Sequence, residues 1–506
     1  MTRRLLATLG ALLLAAVPGA PQEEKPKPAQ DPKPKAPQDM KERTEKHKKD
    51  VLRLRGLDFS KPVTVGVYSK KELTEFLKSE FEKELPKEKG ERYQRGYAKF
   101  GFIPKDMDLH EAYMELFGSS IAGFYHPKTK ELRLIRPGEE EEDADAKLAK
   151  AMGLDMEAIT LVHELTHAAQ DQNFELSTLP LEDETNDDLI MAIKAVIEGD
   201  ASAVGWKYQF PGKQFDLIIG GINKTYQSGM LPGKAGKLPA YLRLNLTFPY
   251  GHGTDFVVQY LKGTKGELKD ASKLFRDWPL SSEQILHPKK YYGDERDNPT
   301  LVTLADAPKT LGGGWKETFN NVQGEFCVRI LLQQFKGDKL DDARVVQASE
   351  GWDGDRYVVL EREGKPDADG KKTIETAYVW LSTWDSEDDA KEFAEAYLLA
   401  LEKKYGVSRK EGAERGELST KEGAVLVDRK GSDVLVLDGF PEETLGRAEA
   451  LWKTASKKEL QGFERLRKFV CDKDGVKEAF SGKCPKCGTE LRFDDPDAPK
   501  PKKREY

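Results

Sequence analysis

The stretch LVHELTHAAQDQ, Leu161 to Gln172, sets two histidines and a glutamate into an apolar run. His163 and His167 are four residues apart, which on a helix puts both rings on one face, one turn apart. Ile159, Val162, Leu165, Ala168 and Ala169 back that helix with apolar surface, so burying the helix buries the rings. Two imidazoles and a carboxylate are costly to desolvate without partners. The fold must therefore bring a compensating group against this face. One divalent cation held at about 2.0–2.1 Å by each ring meets that demand. Two histidines satisfied by ordinary core hydrogen bonds are the other reading.

A cation held by two imidazoles needs a third ligand, and Glu198 in AVIEGDA, 31 residues after His167, is the strongest candidate. The pattern predicts a helix over about 187–210, apolar at Leu189, Ile190, Ile193, Val196 and Ile197. A carboxylate there is explained by a metal, or else by a buried ion pair or a solvated face. Gly199 stands in mid-helix at a cost of about 1 kcal/mol relative to Ala. It predicts close packing of this helix on the histidine helix, with Ala201 and Ala203 assisting. Asp200 points away from Glu198. It is either an acceptor for a ligand imidazole or a structural cap.

H-E-x-x-H in a helical context is the arrangement of zinc hydrolases. With AGFYHPKTKEL, VIEGDA, LTFPYGHG, SSEQILHPKKY and GWDGDRYVVL, spread over most of residues 51–385, the chain resembles the gluzincin type of metallopeptidase. More narrowly, it resembles a poorly characterised group of exported H-E-x-x-H proteins. The resemblance implies a zincin-like fold and a catalytic Zn2+ on His163, His167 and Glu198. It also implies Glu164 as the general base toward a zinc-bound water. The strand Ile121–Tyr125 would align an extended peptide. His287, Tyr291, Tyr250 and Tyr125 are candidates for the oxyanion donor, His287 first. Ser202 stands where thermolysin-like enzymes carry an aspartate that orients a histidine, so the groups supporting the ligands must differ.

Of four cysteines, Cys471, Cys484 and Cys487 crowd the C-terminus. Cys484-Pro-Lys-Cys487-Gly is a knuckle in which two thiolates grip one ion, with Cys471 as a third. The segment resembles a short heavy-metal-binding module, but Lys473, Asp474 and Thr489 replace its soft ligands. That substitution favours a second, structural Zn2+ over copper, with Asp474 as fourth ligand. A Cys484–Cys487 disulfide is the alternative. Cys327 sits on an apolar stripe and reads as core.

Residues 1–20 read as a secretory leader, with Arg3 and Arg4 before the apolar run Leu5–Val17. Pro18 and Pro21 flank the expected cut after Ala20, which leaves an uncleaved membrane anchor open. Residues 21–50, rich in Pro and Lys, predict a disordered linker. The acidic run Glu139–Asp143 reads as a solvated loop. Lys and Arg (81) nearly balance Asp and Glu (88), giving a net charge of −7, which argues against nucleic acid as a partner. The fold class expected is α+β. A zincin-like domain occupies 51–300, an antiparallel-sheet α+β domain 301–460, a cysteine module 465–495 and a disordered tail 496–506. The function expected is an exported zinc metallohydrolase, a peptidase first, acting on peptide or protein substrates in periplasm, envelope or medium. The alternative is a non-catalytic exported protein that binds or sequesters metal.

Overall fold

Residues from Pro37 on are helical, inside the segment whose composition predicts a linker. The computed structural model describes residues 37–493, apart from 120–122, 127, 128, 136–148, 150, 152, 232–234, 295, 367, 368, 410–415, 464–468, 479–483, 485 and 490. The expected leader, the first part of the linker, the acidic run 139–143 and the tail 496–506 lie outside the described residues. Helix α1 spans Pro37–Arg55, which corrects the linker expectation over 37–50. Met40, Thr44, His47, Val51 and Arg55 are buried. They recur every three to four residues and so share one helix face. Three of the five are polar, and this hides the face from a reading by composition.

Strand β1 (Thr64–Tyr68), helices α2 (Lys70–Glu84), α3 (Lys87–Phe100) and α4 (Leu109–Ser119), and strands β2 (Gly123–His126) and β3 (Glu131–Ile135) follow. The Glu72 N–H donates to Ser69 Oγ at 3.2 Å, and the Ser69 N–H donates to the Glu72 carboxylate at 2.7 Å. This reciprocal cap satisfies two donors that the start of α2 would otherwise leave bare. β1 runs parallel to β3, β2 runs antiparallel on its other side, and β2 is left as an edge.

Helices α5 (Met156–Phe174), α6 (Asp187–Gln209), α7 (Lys213–Gln227) and α8 (Ala240–Gly263) form the centre, and α1 packs across α5 and α6. Side chains of Asp155 and Asn186 accept backbone N–H groups at the starts of α5 and α6. The run LRLNLTFPYGHGTDFVVQYL predicts helices broken by turns. It is instead one helix that continues through Pro249. The reason is packing. A Cβ on Gly253 would stand 2.2 Å from the Ala195 carbonyl oxygen, and one on Gly251 would stand 2.8 Å from the Gln227 nitrogen. α8 lies so close to α6 and α7 that contact offsets the helix-breaking tendency of Pro and Gly, about 3 and about 1 kcal/mol each.

The C-terminal half comprises α9 (Ser282–Leu286), β4 (Thr300–Leu304), α10 (Ala307–Leu311), β5 (Lys316–Asn321), α11 (Gly324–Gln334), α12 (Asp342–Gln347), β6 (Trp352–Glu363) and β7 (Ile374–Trp384). Then come α13 (Glu387–Tyr405), β8 (Gly416–Thr420), β9 (Gly423–Lys430), β10 (Asp433–Phe440), α14 (Ala448–Thr454) and β11 (Ala455–Glu459). The run FNNVQGEFCVRILLQQF, expected as one helix, begins in β5. The Gln323 and Gly324 N–H groups bind the Asp355 carboxylate at 2.9 and 3.0 Å at the start of α11. Strands β5-β6-β7-β10-β9-β8 form an antiparallel sheet, and β4 pairs with β11. The α+β class is thereby met.

The four inner strands, β6, β7, β10 and β9, bury both faces along their middles, with side chains alternating between two cores. Val358, Leu360, Val379 and Leu381 face a core shared with Val302, Leu311 and Leu451. Tyr357, Val359, Tyr378 and Trp380 join the main core, which runs back into the N-terminal half. There Phe100 stacks on Tyr378 at 4.0 Å and Tyr93 meets Phe319 at 4.6 Å. The core is thus continuous across residue 300. Short strands β12 (Phe469–Val470), β13 (Lys477–Glu478) and β14 (Arg492–Phe493) close the cysteine segment. Among the described residues no helix is long and apolar enough to cross a membrane.

Candidate metal centres

α5 and α6 bring His163, His167 and Glu198 together. His163 Nε2 and His167 Nε2 are 3.0 Å apart, and each is 3.2 Å from Glu198 Oε2. Two donors at tetrahedral positions around one zinc, each about 2.0–2.1 Å from it, stand about 3.3 Å apart. The donor set fits such an ion in type as well as in spacing. All three side chains are buried, at 0%, 5% and 1% exposure, and Glu198 Oε1 meets no hydrogen-bond partner. In the protein alone the positive charge must come from a proton. Burial works against a charged His167, yet the Glu198 carboxylate outweighs it and lifts the ring to about 9. For Glu198, burial pushes upward, but the two rings pull it down to about 2.

Glu164 lies beside this cluster at 2% exposure. Its Oε2 accepts the backbone N–H of Tyr125 on edge strand β2 at 2.7 Å, and its Oε1 is buried without a partner. Burial, with help from the Glu198 charge, raises its carboxyl to about 8. A carboxylate poised near neutrality is suited to take and return a proton. Tyr125 is held at a second point, where its hydroxyl donates to Asp171 Oδ2 at 2.8 Å.

The expected oxyanion donor is corrected. His287 Nε2 lies 3.0 Å from the Glu325 carboxylate, which also takes Arg329 at 2.6 Å. α9, which His287 follows directly, docks on the start of α6, where the Ser282 N–H donates to Asp188. That point is ten residues, or about 15 Å of helix, from Glu198. Tyr291 donates to the Asp277 carbonyl, and the Tyr125 hydroxyl is engaged with Asp171. Tyr250 is the remaining candidate. Its ring centroid is 6.4 Å from that of His163, and its buried hydroxyl lies toward Glu198 without a well-formed hydrogen bond. Burial, then the charges of Glu198 and Glu164, hold the phenol well above its usual range. It therefore stays a donor.

Gly199 makes a close approach, but not to the histidine helix as expected. A Cβ there would lie 2.3 Å from the backbone carbon and oxygen of Gly253 on α8. Gly205 is the glycine that faces α5, opposite Ile159 and His163. Asp200 answers the question left open by its position. It accepts from Gln170 Nε2 at 2.9 Å, and Gln170 Oε1 lies 2.9 Å from His167 Nδ1. Composition and period carried no signal for Gln170 or for Arg55, which binds Asp200 from α1.

Cys471, Asp474, Cys484 and Cys487 form a second group whose donor atoms all lie within 4.8 Å of one another. The cysteines are free, not bridged. Cys471, Asp474 and Gly475 match Cys484, Cys487 and Gly488 in two like turns. Gly475 N–H donates to the Cys471 carbonyl and Gly488 N–H to the Cys484 carbonyl, each at 2.8 Å. Both glycines are left-handed, at φ 66° and 72°, where a side chain would be strained. Asp474 occupies in one knuckle the place of Cys487 in the other. Among the described residues, Cys471, Cys484 and Leu491 are buried together here. If the group holds a metal, Cys484→Ser should lose it and should open residues 469–493 to limited proteolysis. Mass mapping of the first cuts, beside metal analysis, reads both effects.

A third acidic group, Glu283, Asp297 and Asp385, already holds a cation. Lys290 Nζ lies 2.7, 3.0 and 2.6 Å from the three carboxylates. The family model described as Domain of unknown function (DUF8575) matches residues 310–449, from within α10 to the start of α14. No curated protein and no solved structure matches the chain.

Proposed function

We propose that this chain is an exported zinc-dependent hydrolase of peptide bonds. The observation that carries the reading is the convergence of His163, His167 and Glu198 within 3.2 Å, with Glu164 alongside. A zinc ion bound there would supply Lewis acidity and lower the pKa of water. The chain's own groups supply the rest. Glu164 Oε1, free of partners, takes the proton of the attacking water and returns it to the leaving amine. The Tyr125 N–H holds the other oxygen, so the free one is aimed. The Tyr250 hydroxyl donates to the oxygen on which charge develops. The cysteine knuckles would hold a second, structural zinc, through three thiolates and Asp474.

Glu164→Gln tests the reading. It keeps the shape of the side chain and all three metal donors, so the zinc content of the histidine site should equal wild type. Peptide hydrolysis should fall about 10²–10⁴-fold. Hydrolysis unchanged in the variant would overturn the assignment of Glu164. The burial of all four groups, 5% exposed or less, supports a second reading, a protein that holds metal without turning substrate over. Wild type that binds zinc tightly and cleaves nothing in a broad peptide library would establish that reading instead.

A further inference from the structure

The imidazole of His167 is linked through hydrogen bonds to α1. Gln170 sits one turn after it on α5, with its carbonyl oxygen 2.9 Å from Nδ1. An amide can be turned either way, but here both hydrogens of Gln170 Nε2 have acceptors. One goes to the Ile197 carbonyl at 3.0 Å, the other to Asp200 Oδ2 at 2.9 Å. A carbonyl and a carboxylate accept and do not donate. The amide is therefore locked with its oxygen toward His167, and Nδ1 must carry the hydrogen. That leaves Nε2 as the nitrogen facing Glu198 and His163.

Asp200 is in turn fixed from α1. Arg55 Nε lies 2.7 and 2.9 Å from its two oxygens, and both side chains are fully buried. Arg55 is itself anchored by Nη1 to Ser272 Oγ at 2.9 Å and to the Lys269 carbonyl at 3.3 Å. Its guanidinium stands 5.7 Å from the Phe275 ring centroid. Four side chains from α1, α6 and α5 thus form one chain of hydrogen bonds that ends on a donor of the metal cluster.

We propose that Arg55 is a positioning residue for the histidine metal centre, acting through Asp200 and Gln170 to fix the ring of His167 with Nδ1 as donor and Nε2 toward the ion. The proposal rests on the metal reading above. It makes α1 part of the centre, not packing around it, and it names the support that takes the place of the aspartate missing at Ser202. Groups that orient a ligand histidine in this way are typically worth 10–100-fold in metal affinity.

The test uses the full chain carrying Cys484→Ser, so that zinc reports on the histidine site. Zinc affinity is measured by chelator competition for that parent, Arg55→Met, Arg55→Lys and Asp200→Asn. The metal-free proteins, with 15N-labelled histidine, are examined for an exchange-protected His167 Nδ1–H proton, assigned by its loss in His167→Asn. Arg55→Met and Asp200→Asn should bind zinc 10–100-fold more weakly and lose the protection, with far-ultraviolet dichroism unchanged. Arg55→Lys should recover part of both. A folded Arg55→Met with affinity within about threefold of the parent and an intact protected proton overturns the proposal. If Arg55→Met does not fold, Asp200→Asn, which keeps the side-chain volume, decides by the same criteria. A parent that binds no zinc, while the protected proton follows the same pattern across the variants, supports the relay and overturns the metal reading.

Discussion

Glu198→Ala should lower the stability of the metal-free chain by about 3–5 kcal/mol at pH 6, the cost of leaving one member of a buried pair without its partner. His167, Glu198 and His163 are all out of solvent, so water cannot compensate the charge that remains. The effect depends on pH with a definite sign. His167 is raised from 6.5 to about 9, so its contribution is complete below 6.5 and is lost as pH climbs through 9. Glu198 is lowered from 4.5 to about 2, so its contribution is complete above 4.5 and is lost as pH falls through 2. The penalty of the substitution should therefore be largest between about 4.5 and 6.5 and should shrink toward pH 9. Urea unfolding of both proteins across that range measures it. Zinc content of the histidine site should fall in the variant while that of the cysteine knuckles stays.

Gly199→Ala should also be destabilising, by about 1–3 kcal/mol or more, although Ala is the better helix former. The added methyl would meet the Gly253 carbonyl carbon and oxygen at 2.3 Å and the Thr254 nitrogen at 2.7 Å. These are backbone atoms in mid-helix and have no rotamer by which to yield. α6 and α8 must separate, and Glu198, the adjacent residue, moves with α6. A drop in the urea midpoint together with weaker zinc binding is the expected pair of results. A drop in neither would mean that the crossing is looser than its geometry.

These two neighbours show what can be read from a sequence here and what cannot. The histidine pair is a local pattern, since helical period alone puts His163 and His167 on one face. Glu198 is legible because a carboxylate in an apolar helix needs a reason. The direction in which Gly199 faces is not legible, because a small residue marks a close approach without naming the partner, and α8 was the partner. The helix α8 itself was obscured by Pro249, Gly251 and Gly253, whose local preferences are overridden by contact with α6 and α7. Arg55, Gln170 and Asp200 carry no period and lie up to 145 residues apart, so their joining is a property of the folded chain. α1 is not legible in the sequence because its inner face uses Thr44, His47 and Arg55 in place of hydrocarbon. The CDKDG knuckle shows the limit from the other side. Its kinship to CPKCG is plain once Gly475 and Gly488 are seen to adopt the same left-handed turn.

The stretch matched by the family model, 310–449, contains the six strands but not what finishes them. Phe100 and Tyr93 come from α3, and Lys99, 3.0 Å from the buried Asp438, comes from the same helix. Val302 and Leu304 on β4 complete the opposite face. Expressed alone, that stretch would bare Tyr357 and Tyr378 and leave a carboxylate short of one of its cations. In this molecule the matched stretch is a slab, and a helix from outside it serves as its lid.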